Sequence, residues 1–257
     1  MDQSLSFPAI YAVSAGACNA VSYMAGQRGR NAKINLDYIN DKRYLSFSNL
    51  LRHRSLFGMD FIFEEIPKSL VPFDYEAFGS SKTDLVCVAT DCETGKPHYI
   101  SNRDPDFHID AIRASSSLPL LSPIVDYHGK KLLDGGDSDS IPIAKCLDDG
   151  YERAVVVLTR PAGYCKQPNK LARLYKTVYR QYPQLAKTAQ NRYRMYNRAL
   201  DQVASLEAAG KVFVFRPDAS VPISRFEKSR ENLQKLYDNG YALAEQTFAA
   251  LTDFLKD

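Results

Sequence analysis

Short continuous apolar runs alternate along this chain with stretches in which apolar residues recur at helical spacing. Pro8 to Val13 is apolar and β-prone, ends at Ser-Ala-Gly, and is followed from Ala17 to Gln27 by small and apolar residues at helical spacing. Strand, sharp turn, helix is the expected order there. Residues 28 to 80 are irregular and rich in aromatics, with short helical pieces at Phe47 to Leu51 and Asp74 to Phe78. Pro67 and Pro72 are expected to break them up, so this region is read as a cap over the sheet. Thr83 to Thr90 is a buried-type strand, and a turn at Glu93 to Lys96 leads into a second strand, His98 to Ser101.

A helix is expected from Phe107 to Ser115, stopped by the prolines of the next block, and a short hairpin from Val125 to Leu133 around Gly129. Ile141 to Leu147 suits a helix with proline in its first turn, Arg153 to Thr159 reads as the clearest buried strand, and the last third is helical apart from a strand at Lys211 to Phe215. Strands alternating with helices predict an α/β protein, a three-layer αβα sandwich with a mostly parallel central sheet and a helical C-terminal extension. Residues 1–165 are expected to form the core domain, and 166–257 a mainly helical region packed on it.

Composition narrows the class. The 257 residues are 45% hydrophobic and 25% charged, which excludes disorder, collagen and coiled coil. No run approaches the roughly 20 apolar residues of a membrane-spanning helix, and the N-terminus lacks a signal-peptide pattern, so a cytoplasmic protein is expected. Five dispersed cysteines, never in C-x-x-C spacing, argue for reduced thiols over disulfides or zinc. The net charge is +3, yet eleven Lys or Arg and no acid lie between Arg153 and Arg198; +3 less these eleven leaves the rest at −8.

Two sites carry candidate chemistry. In Ala12-Val-Ser14-Ala15-Gly16 small residues flank a serine where strand turns into helix, the context of a nucleophile elbow; Gly16 fits, and Ala12 stands where glycine is usual. The other reading is a serine-capped strand-to-helix turn. In Leu132-Leu-Asp134-Gly135-Gly136 an acid ends a short strand, and two glycines let the backbone pass close by; an ordinary Asp-Gly turn is the alternative. None of the four histidines, His53, His98, His108 and His128, lies after Asp134, as a serine, acid, histidine order requires. The economical site is therefore a dyad in which Asp134 takes the Ser14 proton directly, needing neither metal nor cofactor; burial of the carboxylate would raise its pKa toward neutrality.

Around these residues the chain resembles the patatin-like phospholipase family, in particular its bacterial branch. The likeness lies in V-S-A-G-A-C-N-A at 13–20, A-I-R-A-S-S-S-L-P-L-L-S-P at 111–123, D-G-G at 134–136, S-D-S-I-P-I at 138–143, T-D-C-E-T-G at 90–95 and V-V-V-L-T-R-P at 155–161. It spans roughly residues 8 to 165, and several blocks in one order are more specific than any single motif. The resemblance implies a three-layer αβα fold and hydrolysis of lipid acyl esters through an acyl-enzyme, with Ser14 as nucleophile and Asp134 as base. Family members also carry a loop of the form G-G-G-x-R-G before the nucleophile, and nothing of that form precedes Ser14. Either the segment belongs upstream of Met1, or the oxyanion hole is reduced to the Ala15 amide and the helix dipole.

Two other readings stay open: a catalytically weak family member that binds lipid, and a Ser-His carboxylesterase. Ser115-Ser-Ser-Leu-Pro119 reads either as acyl-pocket lining or as a helix-ending turn. Cys18, one turn inside the helix, reads as a buried thiol, and the stretch 134–145 lacks the glycine and glutamate that a calcium loop requires. Gln27-Arg-Gly-Arg-Asn31 is either a phosphate-holding turn or a solvated helix end. From 166 to 198, Leu171, Leu174, Tyr175, Val178 and Tyr182 form one helix face, Lys170, Arg173, Lys176 and Arg180 another, and Arg192, Arg194 and Arg198 interleave with Tyr193 and Tyr196. Such a segment suits peripheral contact with an anionic membrane, the other reading being an exposed helix face; no groove-reading motif supports a nucleic-acid partner.

Overall fold

The structure is a computed structural model and describes residues 5–53, 55–219 and 227–256. The chain divides into two compact units, one of residues 1–142 and 167–196, the other of 143–166 and 197–257. The chain leaves the first unit after Pro142, returns to it at Gln167 and leaves it again after Tyr196, so the two units interleave along the sequence.

In the first unit, strand β1 (Ala9–Val13) runs into helix α1 (Ala15–Met24). Next come α2 (Arg30–Tyr38), α3 (Phe47–His53), a wide π-type helix (Phe61–Leu70) and α4 (Tyr75–Gly79). The region expected to be irregular is thus largely helical. Pro67 does not end the wide helix; the chain continues to Leu70, and the Val71 amide bonds back to the Ile66 carbonyl at 2.8 Å.

Strands β2 (Asp84–Asp91) and β3 (Pro97–Ser101), helix α5 (Asp110–Ser115), and strands β4 (Val125–Tyr127) and β5 (Lys130–Asp134) complete the sheet. The α/β class is as expected, and the pairing within it follows the connections. The helical crossover makes β1–β2 parallel, whereas the hairpins β2–β3 and β4–β5 and the pair β2–β5 are antiparallel. Parallel pairing in this sheet is thereby confined to the one pair joined by a crossover.

Alternation sorts the two faces. Ala89 pairs with Asp134 and Thr90 with Leu133, so Ala89, Leu132 and Asp134 point one way and Thr90 and Leu133 the other. On the first face Ala12, Leu85 and Cys87 pack with Ala17, Ala20 and Val21 of α1, and Ala89 and Leu132 pack with Ala111 and Ala114 of α5. On the second, Leu133 packs with Tyr175, Tyr179, Leu185 and Ala189. The unit therefore has helices, sheet and helices in three layers.

The second unit holds α6 (Ile143–Asp148) and β6 (Ala154–Val157), which pairs in parallel with β7 (Val212–Phe215). Between these strands run α7 (Ala172–Val178) and α8 (Pro183–Ala208), both wholly or partly in the first unit; α9 (Arg230–Lys256) follows β7. The strand read as the clearest buried one is half-buried, with Val157 74% exposed, because β6 belongs to a two-stranded sheet. Arg216 forks onto Glu207 at 2.8 and 2.5 Å, and Arg153 lies over the Phe254 ring at 4.0 Å.

Candidate active site

The run Ala9–Val13 pairs with β2 up to Val13–Val88, and the chain then turns within one residue into α1. That residue is Ser14, with φ 55° and ψ −125°, a backbone geometry that costs a non-glycine residue about 1–3 kcal/mol. Two bonds through one side chain hold it: the Ser14 amide donates to Ser115 Oγ at 2.8 Å, and Ser115 Oγ donates to the Val88 carbonyl at 2.6 Å. Ser115 is wholly buried. The first serine of the Ser115–Pro119 block thus braces the turn.

Asp134 arrives from the end of β5 and is 2% exposed. Its Oδ2 accepts the Ser14 hydroxyl at 2.5 Å and its Oδ1 accepts the Gly136 amide at 2.7 Å. Its own amide donates to the Ser117 carbonyl at 2.8 Å, and its carbonyl accepts Thr90 Oγ1 at 2.8 Å. The two residues singled out in sequence, 120 positions apart, thus meet in one hydrogen bond.

The flanking residues divide. Ala12 is buried in the core, where a methyl fits. Ala15 and Gly16 are exposed at the start of α1, and among the described residues nothing accepts from their amides. A side chain at Gly16 would meet nothing within 4 Å, so the expected steric need for a small residue there is not what the structure has; the space lies open.

Gly135 is the opposite case. A Cβ there would sit 2.1 Å from the Val88 carbonyl oxygen, and at Gly136 one would sit 2.9 Å from Asp134 Oδ1. Gly135→Ala is therefore expected to push the Asp134 loop off β2 and lower stability by about 1–3 kcal/mol. Urea unfolding measures it, and an unchanged midpoint would mean that the loop has slack.

Sequence reasoning missed the support beneath this loop. Arg192 of α8, read as part of the membrane-facing segment, is turned inward. Its Nε donates to the Gly136 carbonyl at 2.6 Å and lies 3.2 Å from Asp137 Oδ1, with side-chain exposures of 17% and 4%. Its position in an acid-free run concealed this, since its partner lies 55 residues earlier.

The rest of that segment also needs correction. In α7 and the residues beside it, Tyr175 and Tyr179 are buried, while Leu171, Leu174 and Val178 are 56%, 44% and 52% exposed beside the exposed Lys170, Arg173, Lys176 and Arg180. The helix turns its tyrosines to the core, and the expected apolar stripe is split.

For histidine, His108 Nδ1 lies 3.1 Å from Asp110, and His128 Nε2 lies 2.9 Å from the Asp106 carbonyl. His98 is on β3, and the side chain of His53 lies outside the described residues. Among the described residues the partner of the Ser14 hydroxyl is Asp134. Cys18, expected to be a buried thiol, is half-buried and lines the cavity beside α1; desolvation pushes its thiol pKa up, and its Sγ lies 3.6 Å from Ser116 Oγ. No group of three or more His, Cys, Asp or Glu among the described residues is placed to hold a metal ion.

A cavity of about 160 Å³ begins at Ala15, directly after the serine, and runs along α1 past Cys18 and Val21. Ile34 of α2, Ile62 and Phe63 of the π-type helix, and Phe73 form much of its wall.

Ser14, strained on its strand-to-helix turn, is thus bonded to an aspartate that precedes two glycines. Residues 2–147 match the patatin-like phospholipase family model, and the chain belongs to that family. Residues 182–256 match a second model, described as a domain of unknown function (DUF6363). The chain is similar to the uncharacterized protein YjjU of Escherichia coli (strain K12), 26% identical over 165 residues, which cover 63% of this chain and 46% of that protein. The match thus spans about half the length of that relative. Among the described residues no helix is long and apolar enough to cross a membrane.

Proposed function

We propose that this chain hydrolyses acyl esters of lipids through an acyl-enzyme on Ser14, with Asp134 as the base. The observation that carries this is the 2.5 Å hydrogen bond from the Ser14 hydroxyl to Asp134 Oδ2 on a strained elbow. Membership of a lipid acyl hydrolase family supports the substrate class.

Ser14 Oγ attacks the ester carbonyl carbon while its proton passes to Asp134 Oδ2. The carbonyl oxygen becomes an oxyanion facing the Ala15 amide and the positive end of α1. The intermediate collapses, the carbon–oxygen bond to the alcohol breaks, and Asp134 returns the proton to the departing oxygen. Water then attacks the acyl-serine with Asp134 again as base, releasing the acid and restoring the Ser14 hydroxyl. Gly135 and Gly136 hold the carboxylate against β2, and Ala12 packs in the core beneath the turn. No cofactor enters these steps.

Rapid-quench mass measurement with p-nitrophenyl butyrate tests the reading. A butyryl adduct on the Ser14 peptide is expected within the first turnover, absent from Ser14→Ala. Turnover without an adduct on that peptide would overturn it.

A second reading, peripheral contact with an anionic membrane, draws on the exposed Leu171, Leu174 and Val178 interleaved with Lys170, Arg173 and Lys176. Sedimentation with phosphatidylglycerol vesicles should then fall as salt rises, and fall further in Lys170→Glu/Lys176→Glu. Salt-independent sedimentation would contradict it.

A further inference from the structure

The cavity that opens at Ala15 has a largely apolar wall with three asparagines, Asn19, Asn31 and Asn35, and one cation. Arg30, the first residue of α2, lines it, delivered there by Gly29, whose φ of 75° turns the chain into the helix. Its Nη1 donates to Ser22 Oγ at 3.3 Å and its Nη2 to the Val71 carbonyl at 3.0 Å, while the Phe73 ring lies 5.1 Å from its guanidinium carbon. Its Nε is buried and has no hydrogen-bond partner. No carboxylate pairs with Arg30 among the described residues, and none lines the cavity; the other titratable groups in the wall are Cys18, Tyr44 and Tyr75. Burial holds the guanidinium below its usual value.

A half-buried cation without a counter-charge is costly unless something supplies an acceptor. Arginine in such a setting is matched by an oxyanion, which takes charge-assisted bonds from the fork. Ser22, which Arg30 touches, stands eight residues after Ser14, about 12 Å along the helix at its usual rise. The volume is close to that of a cavity of roughly 150 Å³ that admits benzene, so it suits a short chain.

We propose that this cavity selects acyl esters carrying an anionic oxygen group about two helical turns from the scissile carbonyl, with Arg30 as the residue that receives it. The proposal rests on Ser14 as the nucleophile. The anion is a carboxylate at the far end of the acyl chain or a phosphate on the alcohol side, and two substrate pairs separate these sources. One pair is p-nitrophenyl octanoate against the mono-p-nitrophenyl ester of suberic acid; the other is 1-octanoylglycerol against 1-octanoylglycerol 3-phosphate.

In one of the two pairs, kcat/KM for the anionic member is expected to exceed that for the neutral one by at least about tenfold, a difference of about 1.4 kcal/mol. The ratio should fall toward one in Arg30→Met and lie between in Arg30→Lys, which keeps charge but loses the fork. Titration calorimetry on Ser14→Ala gives a readout that needs no turnover. Suberate should bind more tightly than octanoate if the anion sits on the acyl side, and glycerol 3-phosphate more tightly than glycerol if it sits on the alcohol side, each preference vanishing with Arg30. Turnover of neutral and anionic esters at equal efficiency would overturn the anion site alone, as would a preference that survives both Arg30 substitutions. Anion-selective binding with no turnover in the parent chain would overturn the nucleophile reading and leave the site standing.

Discussion

Asp134→Asn is expected to lower kcat/KM for p-nitrophenyl butyrate by about 10²–10⁴-fold, the range over which a positioned general base contributes. Asparagine is nearly isosteric, so its side-chain oxygen can still accept the Gly136 amide that Asp134 Oδ1 accepts at 2.7 Å. What it cannot do is take the hydroxyl proton now shared with Oδ2 at 2.5 Å. The loss should therefore appear in kcat with little change in the unfolding midpoint. Equal losses of stability and rate would mean that Asp134 acts through the fold, and wild-type turnover in Asp134→Asn would remove it from the chemistry.

Arg192→Met should carry the largest cost in stability. Asp137 is 3% exposed, and removing its partner leaves a carboxylate buried without that charge beside the loop that holds Asp134. Breaking a buried pair costs about 3–5 kcal/mol, and the 17% exposure of Arg192 puts this case near the lower end. The Gly136 carbonyl would lose its 2.6 Å donor as well, so the rate at which Ser14 reacts should fall even in protein that is still folded. Arg192→Lys keeps a charge without the fork and should fall between. Urea unfolding with Ser14 labelling rates on the folded fraction separates the effects; a stable Arg192→Met with normal labelling would show the pair to be dispensable.

The hydrogen-bonded pair Ser14 and Asp134 was legible because each half is local. An apolar strand stopped by Ser-Ala-Gly and an acid followed by two glycines are short patterns whose backbone demands show in the residues themselves. The 2.1 Å approach at Gly135 is the physical reason for one of those glycines. The braces were not legible, because they join distant segments. Ser115 looked like part of a helix-ending block, and nothing local marks its oxygen as the link between the Ser14 amide and the Val88 carbonyl. Arg192 sits among cations, and only its fold neighbours show that it faces Asp137.

Period also misled at two places. Residues 61–70, which contain two phenylalanines and Pro67, form a wide helix whose turns do not follow the usual spacing, and the basic helix places Tyr175 and Tyr179 inward while Leu171, Leu174 and Val178 face out. Sheet pairing could be inferred only from the connections: the long helical crossover gives the parallel pair β1–β2, and the short turns give antiparallel ones. Arg30 was visible as part of a basic turn, but the cavity it enters is built by α1, α2 and the wide helix together.

The central claim is that Ser14 is a nucleophile activated by Asp134, and intact-mass labelling with a fluorophosphonate tests it without presupposing a substrate. One adduct is expected on the parent chain, none on Ser14→Ala, and slowed labelling on Asp134→Asn. An adduct that persists in Ser14→Ala, or folded parent protein that takes none, would contradict the account.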